Sequence, residues 1–272
     1  MAALSVLMSL YIKEKTEYAR ECFESLLRQT VPADEWVIVE DGPLTDEMYH
    51  LLDEYQEQYP RLIKRVRLEI NGGLGLALKA GVPVCSNELI ARMDTDDIAR
   101  EDRFEKQLAV FENNPTLDIC GSYVDEFEDS HNIIVARRTV PIKHEDIIEY
   151  QKKRDAFNHV TVMFKKSAVL AAGNYQSCPL MEDTYLWARM IMSGAKCANV
   201  NESLVYVRIG KGMYERRGGW SYFKKYKSGQ KMVNDLGYTS RQDFFLTVTI
   251  QFIVAMMPGW LRGFVFKRIL HR

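Results

Sequence analysis

The sequence predicts an α/β protein in which a mostly parallel sheet is covered by helices on both faces. Four apolar runs of strand length precede residue 94, at 3–9, 35–39, 62–68 and 88–93. The segments between these runs carry apolar residues at helical spacing, as in the segment 18–27. Strands that alternate with helices pair in parallel through right-handed crossovers, and these crossovers place helices on both faces of the sheet.

The second half of the chain has a mixed pattern. Strands are predicted near 117–124, 133–138 and 160–164, and a helix is predicted from about Glu182 to Ser193. The chain has 272 residues, of which 47% are apolar, so it can bury a large core. Because no internal repeat or low-complexity linker is present, we expect no separable second domain before about residue 210.

The cysteines and the N-terminus predict a protein of the reducing cytoplasm. Five cysteines are scattered without CxxC spacing, and their odd count argues against both a zinc site and a disulfide framework. The N-terminus enters its first apolar run without a basic segment or a cleavage site. It is therefore predicted to be a strand rather than a secretion signal.

The tetrapeptide Asp94-Thr95-Asp96-Asp97 directly follows the fourth apolar run. Ligands of open α/β sheets bind at the carboxyl ends of strands, and carboxylates are hard ligands that suit Mg²⁺ or Mn²⁺. A divalent-metal site is therefore predicted here. The alternative is an acidic turn in which Asp97 caps a helix running from about Arg100 to Asn113.

Two other acidic sites fit this tetrapeptide poorly. A calcium loop that began at Asp94 would place Ile98 at its fifth ligand position and Ala99 at the position that requires glycine. A phosphatase-type nucleophile usually follows the first strand of its fold, whereas about three strands precede this one. The glycines between Asn71 and Gly81 likewise lack the third glycine of a dinucleotide fingerprint, and they follow the third strand instead of the first.

Five motifs occur in one order along the chain. They are the segments 5–11, Val39-Glu40-Asp41-Gly42, Asn71-Gly72-Gly73-Leu74-Gly75, 91–97 and 182–187. Together they resemble a family 2 inverting glycosyltransferase of GT-A fold, over about residues 3–208. A narrower likeness is to bacterial surface-polysaccharide transferases, of O-antigen or capsule, that act on lipid-linked sugars.

The resemblance implies a nucleotide site at the ends of the first strands. Tyr11 corresponds to a residue that stacks on uracil, and Asp41 to one that hydrogen-bonds the base. The implied nucleotide-binding residues are Leu10, Tyr11, Asp41, Asn71, Arg92, Asp94 and Thr95. From the residues alone, Tyr11 is equally a half-buried core tyrosine, Asp41 a turn residue, the glycine segment a helix entry, and Arg92 the partner of a local carboxylate.

The resemblance also implies the chemistry. Asp96, with Asp94, corresponds to the ligands of a divalent metal that bridges the two phosphates, and Asp183 to the base that deprotonates the acceptor hydroxyl. Glu182 is expected to orient the acceptor, although both carboxylates would also suit the cap of a helix. His159, Trp187 and Asp97 are expected near the donor or acceptor sugar. Trp187 either stacks on a sugar ring or packs beneath the site, and His159 is otherwise a structural residue.

The C-terminal part is predicted to be a helical extension over 211–272. It follows a GT-A catalytic domain over 1–210, with a nucleotide-sugar half at 1–98 and an acceptor half at 99–210. Although the net charge of the chain is −1, residues 208–272 hold 13 Lys and Arg against 3 Asp and Glu. This asymmetry favours an anionic partner.

Membrane and nucleic acid are the two polyanions that such a basic extension could meet. The extension interleaves its basic residues with Tyr214, Trp220, Tyr222, Phe223 and Tyr226. The stretch from Phe244 to Met257 carries no charge, is too short to span a bilayer, and precedes Trp260, Lys267, Arg268 and Arg272. An interfacial helix on the inner face of the membrane is therefore expected, and nucleic acid is not. The alternatives are a core helix that packs on the sheet and a homodimer face.

The resulting hypothesis is a metal-dependent inverting glycosyltransferase. It would move a hexose or N-acetylhexosamine from a UDP-sugar to a glycan precursor, expected to be linked to a polyprenyl diphosphate, and form a β-linkage. One alternative is a nucleotide-sugar-binding protein without transfer activity. A nucleotidyltransferase would require a glycine-rich, basic loop near the N-terminus, and none follows Leu10.

Overall fold

The computed structural model describes residues 2–210 and 217–265. Of the predicted basic and aromatic residues, Tyr214, Lys267, Arg268, Arg272 and the side chain of Trp260 lie outside this description.

The first half of the chain alternates strands and helices, as predicted. Its elements are β1 (Leu4–Leu10), α1 (Thr16–Leu27), β2 (Glu35–Glu40), α2 (Asp46–Gln58), β3 (Ile63–Arg67), α3 (Leu74–Val84) and β4 (Leu89–Arg92). β1 pairs in parallel with β2 and with β4, and β2 pairs in parallel with β3. The carboxyl ends of these four strands therefore lie along one edge of the sheet.

The second half adds strands of mixed direction. Its elements are β5 (Ile98–Ala99), α4 (Arg103–Asn113), β6 (Ile119–Phe127), β7 (Ile134–Arg138), α5 (His144–Gln151), β8 (Met163–Lys165), α6 (Lys166–Ala171), α7 (Glu182–Met192) and β9 (Cys197–Arg208). The described strands form one nine-stranded sheet in the order β3-β2-β1-β4-β8-β6-β9-β5, with β7 paired to β6. β8 runs antiparallel to both of its neighbours, whereas β9 pairs in parallel with β6.

Two predicted elements differ from the observed ones, and one long strand was missed. The predicted strand at 160–164 is replaced by a 3₁₀ turn at His159–Thr161, and strand pairing starts only at Met163. The helix predicted from about Arg100 starts at Arg103, six residues after Asp97, so Asp97 does not cap it. Strand β9 was not predicted, because the polar residues 199 and 201–203 interrupt its apolar pattern.

The sheet is buried on both faces, which explains the continuous apolar runs of β1 and β2. Val6, Met8 and Leu10 of β1 pack with residues of α1 and α2 on one face. Leu7 of β1 points to the other face, where it packs with α3. Gly81 of α3 lies against this face so closely that a Cβ at this position would collide with Leu7 and lie 2.8 Å from Val39 Cγ2.

Three helices follow the sheet, namely α8 (Gly219–Asp235), α9 (Arg241–Met256) and α10 (Gly259–Val265). α9 begins with a capping box between Ser240 and Asp243, and it packs on α8. Its buried residues are Thr247, Val254 and Ala255, whereas most of its large apolar side chains are exposed. The core-helix alternative for Phe244–Met257 is therefore wrong. None of the helices in the described parts of the chain is both long and apolar enough to cross a membrane.

We expect Gly81→Ala to lower the free energy of unfolding by about 1–3 kcal/mol, the usual cost of overpacking a dense core. The added methyl group has to displace Leu7 or Val39 between α3 and the sheet. Chemical denaturation monitored by circular dichroism measures the change. Gly210→Ala is the matched control, because no atom lies within 4 Å of its added Cβ. Equal stabilities for the two variants would contradict the close packing of α3.

Candidate active site

A cleft of about 320 Å³ lies at the sheet edge where β1, β2 and β4 end. This volume is in the range of small-molecule sites. The residues that line the cleft are Ser9, Tyr11, Glu14, Asp41, Asn71, Gly73, Leu74, Asp94 and Thr95. Five of the seven predicted nucleotide-binding residues are among them, and the other two, Leu10 and Arg92, are buried beneath it.

Backbone contacts hold the floor of the cleft in place. The carbonyl of Leu10 accepts a hydrogen bond from the Asp41 N–H at 2.7 Å, which joins the ends of β1 and β2. The hydroxyl of Thr95 donates to the Ser9 carbonyl at 3.5 Å. Tyr11, directly after β1, is 39% exposed, so its ring is accessible at the mouth of the cleft.

Asp41 organises the glycine-containing loop. Its two carboxylate oxygens accept hydrogen bonds from the N–H groups of Gly72 and Gly73, at 2.7 and 2.9 Å. The Asn71 amide donates to the Asp41 carbonyl at 3.1 Å. Gly73 has a φ of +86° and leads directly into α3, so a residue with a side chain would be strained there. The loop is thus a helix entry that also lines the cleft.

Three carboxylates meet beside the cleft, and Asp94 is the one among them that lines it. Oxygen atoms of Asp94, Asp96 and Asp97 lie within 4.8 Å of one another. Burial and the Asp94 charge raise the pKa of Asp96 to about 6, and burial with its two neighbours raises the pKa of Asp97 well above its usual range. Such crowding of hard oxygen ligands fits a divalent cation.

Asp97 links the loop 94–97, which we call the acidic loop, to strand β9. It is buried, and one of its oxygens accepts the N–H of Arg208 at the end of β9, at 2.8 Å. The Arg208 side chain donates to the Asp96 carbonyl at 3.1 Å and forms an ion pair with Glu21. Asp97 is thus engaged by β9 and is not among the residues that line the cleft, and its contact with a sugar stays a prediction.

Arg92 is a buried cation beneath the acidic loop. Its two terminal nitrogens donate to the two oxygens of Asp94, one of them at 2.6 Å, so Arg92 is the partner of a local carboxylate. Its Nε atom has no hydrogen-bond partner among the described residues. A second buried arginine, Arg103, donates to the Arg92 carbonyl at 2.8 Å. Burial and the charge of Arg92 lower the pKa of Arg103 to about 9.

Glu14 is a cleft residue that the sequence analysis missed. Burial, followed by the charges of Asp96 and Asp94, raises its pKa to about 7, so a fourth carboxylate faces the acidic loop. The one sequence feature that could have indicated Glu14 is its position three residues after Tyr11, in the loop at the carboxyl end of β1.

A second group of carboxylates, Glu182 and Asp183, opens α7. Burial, then Asp155, then Glu182 raise the pKa of Asp183 to about 7, and burial raises the pKa of Glu182. One Asp183 oxygen accepts the N–H of Thr184 at 2.7 Å. Asp155, which the sequence analysis also missed, accepts the Thr184 hydroxyl.

This second group lies next to the glycine loop. A Cβ at Gly75, in the first turn of α3, would lie 2.9 Å from the Cβ of Glu182. The start of α3 therefore contacts the start of α7 directly, and the absence of a side chain at position 75 allows this contact. After burial, the charge of Asp94 is among the causes that raise the pKa of Glu182, so the two groups of carboxylates are close enough to interact.

His159 and Trp187 lie behind Asp183. His159 Nδ1 is 3.8 Å from an Asp183 oxygen, and its Nε2 is 2.8 Å from the hydroxyl of Tyr175. Burial and the charge of Arg92 hold the pKa of His159 well below its usual value, so the ring is neutral at pH 7. Trp187 is 1% exposed and packs against the His159 ring at 5.8 Å. The predicted stacking of Trp187 on a sugar is therefore wrong, and its position is the packing one.

Comparisons with known proteins agree on one family. The family described as "Glycosyl transferase family 2" matches residues 5–170. An uncharacterized glycosyltransferase of Haemophilus influenzae is 46% identical over 83% of this chain and 86% of its own length. The amylovoran biosynthesis glycosyltransferase AmsE of Erwinia amylovora is 39% identical, over 97% and 98%. An Escherichia coli UDP-Gal:alpha-D-GlcNAc-diphosphoundecaprenol beta-1,3-galactosyltransferase is 34% identical, over 98% and 96%.

Solved structures show the same fold. TarS of S. aureus superposes with a TM-score of 0.63 at 16% identity, over 98% of this chain and 44% of that one. The mannosyltransferase PcManGT of Pyrobaculum calidifontis, in complex with GDP-Man and Mn²⁺, superposes with a TM-score of 0.65 at 13% identity, over 96% and 72%. These likenesses confirm the predicted GT-A fold. The family match over residues 5–170 and the relatives that are more than 30% identical show that the chain belongs to glycosyl transferase family 2.

Proposed function

We propose that this glycosyltransferase is metal-dependent and inverting, and that it moves a hexose or N-acetylhexosamine from a UDP-sugar to a lipid-linked glycan precursor. The observation that carries the proposal is the pairing of two acidic groups in one site. One group, at Asp94 and Asp96, borders a cleft of nucleotide size, and the other, at Asp183, holds a carboxylate with a pKa of about 7. The first suits a diphosphate–metal complex and the second suits proton removal.

The nucleoside is proposed to occupy the cleft between β1, β2 and the glycine loop. Tyr11 presents an accessible ring for stacking on uracil. Asp41 lines the cleft and its two oxygens are fixed by the loop amides, and we assign to its remaining acceptor capacity a hydrogen bond with the base. Asn71 and Thr95 border the same space and supply polar contacts to the ribose.

A divalent cation, Mn²⁺ or Mg²⁺, is proposed to be held by Asp96 together with Asp94. When bound, the cation would stabilise the negative charge that develops on the leaving nucleoside diphosphate. Arg92 fixes both oxygens of Asp94 from below. Asp97 is engaged by Arg208 and supports the loop.

Asp183 is proposed to act as the catalytic base. Its carboxylate takes the proton of the acceptor hydroxyl while that oxygen attacks the anomeric carbon from the face opposite the diphosphate. The bond from the anomeric carbon to the phosphate oxygen breaks, and its electron pair leaves with UDP, so the linkage is inverted to β. His159 is neutral and borders Asp183, so it positions the carboxylate without competing for the proton. Glu182 is proposed to orient the acceptor.

The acceptor and cellular setting are proposed from the relatives. One relative is named for its action on a diphosphoundecaprenol-linked sugar and another for amylovoran biosynthesis. By this likeness, the chain extends a polyprenyl-diphosphate-linked glycan in surface-polysaccharide biosynthesis, such as that of O-antigen or capsule, at the inner face of the membrane. Residues 1–98 would hold the donor, 99–210 the acceptor, and the C-terminal extension from 211 would lie beside the acceptor half.

UDP release from a panel of UDP-sugars tests the proposal, with and without lipid-diphosphate-linked acceptors and Mn²⁺. Acceptor-stimulated release from one donor establishes transfer and identifies the sugar. A folded protein that binds UDP but releases none with any pair, and whose behaviour is unchanged by Asp183→Asn, would instead be a nucleotide-sugar-binding protein.

The first prediction concerns the pH dependence of transfer. The carboxylate form of Asp183 is the active one, so kcat/KM should fall about tenfold per pH unit below about 7 and level off above it. Asp155→Asn removes a charge that raises this pKa, so the acidic limb should move to lower pH. Asp183→Asn should abolish transfer and leave UDP affinity intact. If the acidic limb of the kcat/KM profile lies at the same pH in Asp155→Asn as in wild type, the assignment of Asp183 as the base is contradicted.

The second prediction concerns the metal. Asp96→Asn should weaken Mn²⁺-dependent UDP binding at least tenfold, because a neutral amide replaces an anionic ligand. Calorimetric titration with UDP, with and without Mn²⁺, measures the difference. The control is Asp129→Asn, an exposed aspartate outside the cleft, which should bind like wild type. Full Mn²⁺-dependent binding by Asp96→Asn would remove Asp96 from the site.

The third prediction concerns Tyr11. Tyr11→Ala should lower the affinity for UDP about tenfold, since stacking of a base on an aromatic ring is worth about 1–3 kcal/mol. Tyr11→Phe keeps the ring and should bind within about twofold of wild type. The same titration, made with UDP and with inorganic diphosphate, separates the base from the phosphates. If Tyr11→Ala also loses affinity for inorganic diphosphate, Tyr11 does not act by stacking on the base.

A further inference from the structure

Helix α9 exposes most of its large apolar side chains to solvent. Thr247, Val254 and Ala255 face inward, toward the rest of the molecule. The opposite side carries six large apolar residues that are between 42% and 66% exposed, which we call the apolar face: Phe245, Leu246, Ile250, Phe252, Ile253 and Met256. A surface helix normally presents polar residues to solvent, so a continuous apolar face indicates a contact surface.

Basic residues of α8 border this face. Trp220, near the start of α8, is 57% exposed and contacts Phe252 of the apolar face with ring centroids 6.4 Å apart. Lys224 and Lys227 follow Trp220 by four and seven residues, so they lie on the same side of α8. Both lysines are exposed, and neither makes an ion pair with another residue in the described parts of the chain. We call Lys224 and Lys227 the lysine row.

We infer that the apolar face and the lysine row dock the protein onto an anionic lipid surface. Exposed aromatic and aliphatic side chains beside lysines match the interfacial region of a bilayer, where apolar groups enter below the headgroups and the ammonium groups meet lipid phosphates. A second copy of the chain fits less well. A two-fold interface through the apolar face would bring two lysine rows close together, and like charges oppose such an interface.

The docking surface is connected to the carboxylates of α7. Gly229 of α8 lies so close to the segment before α7 that a Cβ there would be 2.6 Å from the Pro179 carbonyl and 3.0 Å from Met181 Sδ. Met181 immediately precedes Glu182 and Asp183. A membrane bound to α8 and α9 is therefore held at a fixed position relative to Asp183. This inference rests on the proposed lipid-linked acceptor for its purpose, although membrane binding is measured without it.

Sedimentation with vesicles tests the inference. The full-length protein should bind vesicles of phosphatidylcholine with about 30% phosphatidylglycerol, and binding should weaken as salt is raised. Phe245→Gln with Ile253→Gln should lower the partition coefficient at least tenfold, because two large side chains no longer enter the bilayer. Lys224→Gln with Lys227→Gln should lower it about tenfold on anionic vesicles and leave any binding to pure phosphatidylcholine unchanged.

The matched control is Ile133→Gln with Val135→Gln, which removes exposed apolar side chains from the region of β7 and should bind like wild type. No binding of wild type to anionic vesicles, or full binding by the Phe245 and Ile253 variant, would overturn the inference. A wild-type dimer without lipid that this variant converts to a monomer, with no vesicle binding, would assign the face to a second copy.

The vesicles contain neither donor nor acceptor, so the result does not depend on the proposed transfer reaction. Transfer to a short, water-soluble acceptor should be the same in wild type and in both docking variants, because none of these side chains lies in the cleft.

Discussion

The site depends on the ion pair between the buried guanidinium of Arg92 and the carboxylate of Asp94. Arg92 lies at the end of β4 and holds both oxygens of Asp94, and Arg103 donates to the backbone carbonyl of Arg92. A charge buried this deeply acts over longer distances than an exposed one. Burial, and after it the charge of Arg92, holds the pKa of His159 low. Burial, Asp155 and Glu182 raise the pKa of Asp183, and the charge of Arg92 opposes this rise. One cation thus influences both halves of the proposed reaction.

The acidic loop is stable because distant parts of the chain converge on it. Arg208, at the end of β9, donates to Asp97 and to the backbone of Asp96, and its guanidinium lies 4.0 Å from the ring centroid of Tyr18. Strand pairing brings these residues together, since β9 pairs antiparallel with β5, which directly follows the loop. These contacts keep in place a cluster of carboxylates that repel one another.

Much of the fold was predictable from the sequence, because both faces of β1 and β2 are buried and their apolar runs are uninterrupted. The positions of Tyr11, Asp41 and Asp94 along one cleft followed from the rule that parallel strands end at one edge. Which of the polar and aromatic side chains are buried was not predictable from the sequence. Trp187 carries a ring that suits a sugar, and only its packing against His159 and Tyr175 shows that it is buried. Glu14 was missed because a single carboxylate in a loop carries no pattern.

The contact between Gly75 and Glu182 also has a consequence for how the enzyme could diversify. Gly75 in the first turn of α3 lies so close to Glu182 that no side chain fits between α3 and the start of α7, so these two elements cannot come closer together. In the proposed reaction, a change of sugar would then be accommodated by the side chains that line the cleft and not by bringing α3 and α7 closer together. Substrate range in such a protein would be altered by remodelling side chains on a fixed frame.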